Sequence, residues 1–277
     1  MSTEFAQNDR FDQILIKITR FSRECSRSVI MSYKEQREEA ILEYLREHKE
    51  VSVTELCRML YVSEPTMRRD LASLSSGGRI IRTHGGAVLR SEPGENLPLS
   101  YREREQTDAK NTIARKCLAL INDGDVVMVD SSSSALALLR IIDTKKSIVV
   151  VTNSAKAANL LSDKKIKTFV TGGELVADTF AFVGGYAEDF IKNFNAKVCF
   201  FSVRRLTLDG RLTDNAILEN RVRSAMLSVS ERRVLMLDSH KIGEACMNTL
   251  CNIKDVDFIV SESDISKKFE GFSEKFL

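Results

Sequence analysis

Four consecutive serines follow the acidic residue Asp130 and a short apolar segment, VVMV. If a helix begins within this run, hydroxyls and free backbone amides meet in its first turn, and that combination binds phosphate and other anions. The alternative is an ordinary N-cap, which needs one serine and leaves the other three unexplained. The run therefore indicates an anion site.

Polar residues also follow other apolar segments, where ligands of open α/β sheets bind, beyond the carboxyl ends of the strands. A buried phosphate needs a cation as well as neutral donors, and Arg204 and Lys241 are the best placed in sequence. Two glycines would let the backbone approach a ligand, and one asparagine could hold a hydroxyl group. The predicted ligand-binding residues are Asp130, Ser131, Ser132, Ser133, Ser134, Asn153, Gly172, Gly173, Arg204 and Lys241.

Catalysis is a weaker reading of the same residues. Asp130, Glu219 and Lys241 offer carboxylates and a cation, the groups that an aldose–ketose isomerase uses. The alternative is that they orient a ligand or form salt bridges, and we favour it because fold kinship is no evidence of activity. We expect no enzyme activity and assign no catalytic residue. The spacing of the six cysteines and three histidines fits no metal site, and no cofactor is expected.

Positive charge is concentrated near the N-terminal third of the chain. Five arginines between positions 68 and 90 are opposed there by a single acidic residue, Asp70. The whole chain carries 41 lysines and arginines against 39 acidic residues, a net charge of +2. Any affinity for nucleic acid must therefore come from this local basic segment, which has the charge pattern of a phosphate-binding face.

Three short helices and a wing account for that segment. Ser52 and Glu55 form a capping-box pattern at the start of the second helix, and Ser63 caps the third. Met67, Leu71 and Leu74 form the apolar face of the third helix, and two glycines turn the wing. The alternative is a generic three-helix bundle, but the arginines favour a winged helix-turn-helix. The predicted DNA-binding residues are Ser63, Glu64, Pro65, Thr66, Arg68, Arg69, Arg79, Arg82, His84, Gly85 and Gly86.

The remainder of the chain alternates short apolar strands with amphipathic helices. Strands are predicted at 126–129, 148–151, 167–170, 198–202, 234–237 and 257–260, and one long helix is predicted at 101–121. Such alternation is typical of an α/β domain with a mostly parallel sheet. The composition, with 43% hydrophobic and 29% charged residues, excludes a disordered, fibrous or membrane-embedded protein.

Two stretches resemble the DeoR family of transcriptional regulators. VSVTELCRMLYVSEPTMRRDLASLSSGGRIIRTHGGAV resembles its DNA-binding domain, and INDGDVVMVDSSSS, VVVTNS, TGGEL, FVGGYAED, FFSVRRLTLDGRLTD and LDSHKIG resemble its C-terminal sensor domain. The resemblance implies a sensor related to ribose-phosphate isomerases and CoA transferases that binds phosphorylated sugars or related metabolites, and homo-oligomers built through the sensors. Ser132 and Arg205 stand where the family usually has glycine, so the ligand or its affinity is expected to differ.

The sequence thus predicts an extension at 1–32, helical or disordered, a DNA-binding domain at 33–90, a linker at 91–100, an α/β sensor at 101–262 and a tail at 263–277. The predicted function is a sequence-specific, cytoplasmic transcriptional regulator that represses carbohydrate or related metabolic genes. It is expected to form a dimer or tetramer, to bind an operator in double-stranded DNA and to respond to a phosphorylated sugar or a similar metabolite. The alternatives are an isomerase-like enzyme with a DNA-binding appendage and a protein whose sensor pocket has decayed. No membrane partner is expected.

Overall fold

The computed structural model describes residues 33–76, 79–83, 85–89, 98–142 and 147–277. The chain divides into two compact units, residues 1–90 and residues 91–277. The predicted extension at 1–32, His84 and most of the predicted linker lie outside the described residues. Within the described ranges, no helix has both the length and the apolar character required to cross a membrane.

The first unit is a winged helix-turn-helix. Its elements are α1 (Tyr33–His48), β1 (Glu50–Ser52), α2 (Val53–Leu60), α3 (Glu64–Ser76), β2 (Ile80–Arg82) and β3 (Gly86–Leu89). The strands form an antiparallel sheet in the order β1-β3-β2, so the wing has one strand more than the two that the sequence predicts.

The apolar spacing of α3 places its core as predicted. Met67, Leu71 and Leu74 are at most 2% exposed and pack with side chains of α1 and α2. Ser52 caps α2 by accepting a hydrogen bond from the Glu55 amide at 3.1 Å. The Glu55 carboxylate accepts from the Tyr44 hydroxyl at 2.6 Å, which ties α2 to α1. The Ser52 half of the predicted capping box therefore forms, while the Glu55 carboxylate joins α2 to α1.

The second unit is an α/β domain. Its helices are α4 (Leu99–Arg104), α5 (Thr107–Leu118), α6 (Ser133–Ile141), α7 (Ala155–Asp163), α8 (Gly185–Ile191) and α9 (Ile217–Ser228). Its main strands are β4 (Val126–Val129), β5 (Val149–Thr152), β6 (Lys167–Val170), β9 (Ala196–Phe201), β12 (Ser230–Met236) and β14 (Phe258–Val260). Smaller antiparallel pairings join β7 (Glu174–Val176) with β8 (Ala181–Val183), and β10 (Arg205–Leu206) with β11 (Arg211–Asp214) and β13 (Asn248–Asn252).

The six main strands form a parallel sheet in the order β14-β12-β9-β4-β5-β6. Helices cover both faces, so alternate residues of a strand enter two different cores: Val127 and Val129 pack on one side and Met128 on the other. The chain adds β5 and β6 on one side of β4, and then β9, β12 and β14 on the other. The direction of winding thus reverses between β4 and β9, which opens a crevice at their carboxyl ends.

Two segments differ from the sequence prediction. The helix predicted at 101–121 is broken at Glu105 and Gln106, and α4 begins at Leu99, inside the predicted linker. The residues predicted as a tail pack against the sheet: Phe269 is 3% exposed, and Leu277 donates its amide hydrogen to the Ile259 carbonyl at 2.9 Å. They cover the β14 edge strand, whose unpaired backbone groups would otherwise be open to association.

Candidate functional site

The crevice between β4 and β9 contains a cavity of about 350 Å³. This volume lies within the range of about 300–1,000 Å³ that is usual for small-molecule sites. Three strand ends and the α4–α5 segment surround it. Its lining includes Arg102, Glu105, Gln106, Lys110, Ser132, Ser133, Ser202, Arg204, Arg205, Asp214, Glu219, Arg223, Asp238, His240 and Lys241.

One buried arginine, Arg223 of α9, organises one wall of this cavity. Its guanidinium binds Asp130 at 2.9 Å, Asp214 at 3.2 Å and Glu219 at 3.1 Å, and all four side chains are at most 8% exposed. Burial by itself favours the neutral guanidine, but the three carboxylates outweigh it and raise the pKa of Arg223. We call these four residues the Arg223 cluster. Three carboxylates against one cation give the cluster a formal charge of −2, so it offers acceptors for hydroxyl groups.

Further cations line the same cavity. Lys241 follows β12, donates to the Ser202 hydroxyl at 2.8 Å and lies 3.7 Å from Asp238. Arg102 lies in the last turn of α4, and Lys110 is buried in α5. Burial lowers the pKa of all three groups, and in Lys110 it does so to about 8. Their charges are therefore poorly solvated, which favours an anionic ligand.

Two more arginines lie where β10 begins: Arg204 precedes the strand and Arg205 is its first residue. Arg205 donates to the His240 carbonyl at 2.6 Å across the cavity. This bond connects two strand ends at a position where the resemblance implies glycine.

The serine run is divided between capping and lining. The Ser132 hydroxyl accepts from the Ala135 amide at 3.1 Å and so caps α6, and Ser133 lines the cavity. Ser131 donates to Glu219 at 3.4 Å, while the buried Ser134 hydroxyl has no hydrogen-bond partner among the described residues. Ser132 thus both caps α6 and lines the cavity, Ser133 lines the cavity, and Ser131 contacts the Arg223 cluster.

The other predicted ligand-binding residues do not all meet. Arg204 and Lys241 line the cavity, and Asp130 holds Arg223 beside it. Asn153 follows β5 and donates to the Phe182 carbonyl at 3.0 Å, away from the cavity lining. Gly172 and Gly173 follow β6, which is separated from β9 by β4 and β5, and they are likewise absent from the lining.

Sequence reasoning missed several residues of the cavity. Arg102 and Lys110 lie in the segment predicted as one long helix, where nothing distinguishes them from surface residues. Arg223 and Asp214 were not singled out either, although an arginine four residues after Glu219 on one helix was a usable signal for an ion pair. No group of three or more histidine, cysteine or acidic side chains in the described part of the chain is arranged to hold a metal ion.

The first unit exposes the predicted recognition surface. Ser63, Glu64, Pro65, Arg68 and Arg69 are exposed at the start of α3, and Thr66 is half-buried. Glu64 holds Arg68 in an i,i+4 ion pair at 2.5 Å, whereas Arg69 has no recorded partner among the described residues. Asp70 faces inward and binds Arg37 of α1 at 2.8 Å. The acidic residue of the segment is thus neutralised inside the unit, and the arginines beside it remain at the surface.

The predicted DNA-binding residues of the wing differ from one another in exposure and in their partners. Arg82 is exposed on β2, while Arg79 binds Glu39 of α1 at 3.1 Å. Gly85 is exposed, with open space where a side chain would stand. Gly86 is buried, and a Cβ atom there would lie 1.9 Å from the Val51 carbonyl oxygen. Gly86 therefore serves the contact between β3 and β1.

Comparison with known families gives two matches. Residues 37–92 match the DeoR-like helix-turn-helix domain, and residues 105–263 match the DeoR C terminal sensor domain. The first match covers the helix-turn-helix and wing that expose the arginines, and the second covers most of the unit that contains the cavity.

Individual proteins match along most of the chain. The chain is 28% identical to the HTH-type transcriptional regulator GolR of Listeria innocua, over 84% of this chain and 92% of that one. It is 30% identical to the glycerol-3-phosphate regulon repressor of Escherichia coli, over 82% and 90%. Among solved structures, ribose 5-phosphate isomerase A of Methanocaldococcus jannaschii aligns with a TM-score of 0.39 at 13% identity, over 50% of this chain and 56% of that chain.

Proposed function

We propose that this chain, which belongs to the DeoR family of transcriptional regulators, represses genes of carbohydrate metabolism and changes its affinity for DNA when its sensor unit binds a phosphorylated sugar. The single observation that supports a phosphorylated sugar as the effector is the composition of the cavity. It combines cations for a phosphate with buried carboxylates for hydroxyl groups. A ligand that has both groups satisfies both walls, whereas a purely apolar metabolite satisfies neither.

DNA binding is assigned to the start of α3 and to the wing. Ser63, Glu64, Thr66, Arg68 and Arg69 present polar groups to the major groove. Pro65 fixes the first turn of α3, and Arg79, Arg82, His84 and Gly85 approach the backbone or the minor groove. His84 is included in this interface because of its position in the sequence alone, and Gly86 is assigned to the packing of β3 against β1.

Two arginine variants test this interface by fluorescence anisotropy at fixed salt. Arg69→Ala should weaken operator binding by about 1–3 kcal/mol if the side chain reads a base edge. Arg82→Ala should weaken all sequences alike and reduce the salt dependence, since it contacts phosphate. Unchanged operator affinity in both variants would exclude this interface.

The phosphate is assigned to the first turn of α6 with Ser133, and to Lys241 and Arg204 around it. A thermal-shift screen against phosphorylated metabolites identifies ligands, because binding to the folded state raises the melting temperature. Ser133→Asp places a like charge at the phosphate position. That variant should still bind DNA but lose the response to the metabolite. A normal response would show that the phosphate does not bind at Ser133.

The regulator is proposed to act as a dimer or tetramer in the cytoplasm. A single winged helix-turn-helix makes few contacts, and paired half-sites on DNA supply the remaining affinity. Light scattering that shows monomers alone at micromolar concentration would contradict the oligomer. Recovery of the protein outside the cytoplasmic fraction of fractionated cells would contradict the location.

No catalytic step is proposed. The carboxylates best suited to act as a base, Asp130 and Glu219, are committed to Arg223 at 2.9 and 3.1 Å. Turnover of a pentose or hexose phosphate by the purified protein would overturn this assignment.

A further inference from the structure

The chain turns sharply between α4 and α5, and we call the residues from Arg102 to Lys110 the α4–α5 corner. Gln106 there adopts a left-handed conformation, with φ +50° and ψ +40°. Such a conformation is unfavourable for a residue that carries a Cβ atom. The Lys110 ammonium donates to the carbonyls of Arg102 and Glu105, at the carboxyl end of α4. The corner is therefore maintained by one buried lysine against a local backbone preference.

The electrostatic surroundings of that lysine are unfavourable. Lys110 is 4% exposed, and burial is the largest cause of its lowered pKa. Lys241 and Arg102 face it and repel its charge, while Asp238 and Glu105 attract it. The balance lowers the pKa of Lys110 to about 8, so the two carbonyls and two carboxylates do not compensate fully. An anion in the cavity would supply the missing compensation.

The remainder of α4 is fixed to the sensor unit. Leu99 is fully buried and donates its amide hydrogen to the Asp178 carbonyl at 2.9 Å. Glu103 binds Lys156 at 2.6 Å and also pairs with Arg140. Arg102, in the second half of the same short helix, lines the cavity. This helix is also the first described helix after residues 91–97, through which the chain leaves the DNA-binding unit.

We propose that Lys110 and Arg102 bind the anionic group of the effector, so that the α4–α5 corner is the part of the cavity that responds to occupancy. This inference rests on the effector cavity proposed above and adds two residues that neither the motifs nor the family resemblance assigns. It also makes binding depend on pH. An anion stabilises the protonated lysine, so binding takes up a proton from solvent wherever Lys110 is partly neutral.

Isothermal titration calorimetry of the full chain with inorganic phosphate tests this. Titrations in two buffers of different ionisation enthalpy give the number of protons taken up at each pH. For a lysine pKa of about 8, the dissociation constant should rise roughly fivefold between pH 8 and pH 9. Inorganic phosphate is already mostly dianionic in this range, so the proton uptake reports the protein.

Three variants separate the charge from the fold. Lys110→Met should bind phosphate at least tenfold more weakly and lose the change between pH 8 and pH 9. Lys110→Arg should restore binding and give a flat profile, because arginine stays protonated. Arg115→Met removes an exposed cation from the same helix and should behave as wild type.

The outcomes are distinct. Two results together would overturn the inference: the wild type binds phosphate without proton uptake, and Lys110→Met binds phosphate with unchanged affinity. The proposed effector cavity would still be supported in that case. Wild type that binds neither phosphate nor any phosphorylated sugar would defeat both. If Lys110→Met fails to fold by circular dichroism, Lys110→Arg decides: a flat profile supports the inference, and a retained fivefold change overturns it.

Discussion

Replacing Arg223 by methionine leaves three buried carboxylates without their shared cation. Removing one partner of a buried ion pair costs about 3–5 kcal/mol. Asp130 and Asp214 keep backbone donors, since they accept amide hydrogens at 3.1 Å from Ser132 and at 2.8 Å from Asn215. We therefore expect the free energy of unfolding to fall by about 4 kcal/mol at pH 7, within that range, rather than by a multiple of it.

In Arg223→Met, the contribution of Asp214 to the pH dependence of the unfolding free energy should also change sign. Burial by itself would raise the pKa of Asp214, but Arg223 and the amides of Ala216 and Asn215 act against it, and the net pKa is lowered. In the wild type this carboxylate stabilises the fold above its unfolded pKa, and that contribution is lost as pH falls through the lower folded value. Without Arg223 burial dominates and the pKa rises. Ionisation then destabilises the variant, so the deficit should be larger at pH 8 than at pH 5.

Urea denaturation followed by far-UV circular dichroism measures this, since the chain has no tryptophan to report by fluorescence. Arg223→Lys keeps one charge but cannot reach all three carboxylates, and it should lose less than methionine. Arg221→Met is the matched control on the same helix, because Arg221 forms an exposed pair with Glu188 at 3.1 Å. Equal losses in Arg221→Met and Arg223→Met, or a larger deficit at pH 5 than at pH 8, would refute the argument.

Two further predictions concern the DNA-binding unit. Gly86→Ala should distort the wing and lower the melting temperature, because the new Cβ would lie 1.9 Å from a backbone oxygen of β1, whereas Gly85→Ala has open space within the protein and should keep the stability of the wild type. Thermal unfolding followed by circular dichroism compares the two variants, and equal melting temperatures would refute the packing role of Gly86. Glu39→Gln should release Arg79 from its 3.1 Å ion pair and tighten binding to a random DNA duplex a few-fold at low salt. Glu43→Gln, which removes an exposed carboxylate from the same helix, is the control. Equal affinities of the two variants for the duplex would contradict this prediction.

Periodicity was sufficient for the framework of both units. The strands β4 and β6 have the bounds that the apolar segments predict, and the core of α3 is the predicted one. These elements are determined by the burial of their own side chains, a property that repeats locally with a period of 2 or 3.6 residues. The position of the cavity also follows from this level, because alternation of strands and helices places ligands at the carboxyl ends of the strands.

The ion pairs of the cavity could not be predicted in the same way. Asp130 and Arg223 are 93 positions apart and meet because β4 and α9 pack in one unit. Strand order decides such meetings: Asn153 and Gly172 also follow strands, yet they lie on the side of β4 away from β9 and do not line the cavity. Local sequence indicates that a residue follows a strand, but it does not indicate which strands are neighbours in the sheet.

The break between α4 and α5 follows from the same argument. Neither glycine nor proline occurs between residues 101 and 121, so the local pattern favours one helix. The break at Gln106 must therefore be stabilised by tertiary contacts, among them the two carbonyl bonds of Lys110 and the burial of Leu99. If Lys110 binds the anion of the effector as proposed, an anion in the cavity should change the stability of this corner. The feature that local sequence preference predicts least well is thus also the one best suited to register the ligand.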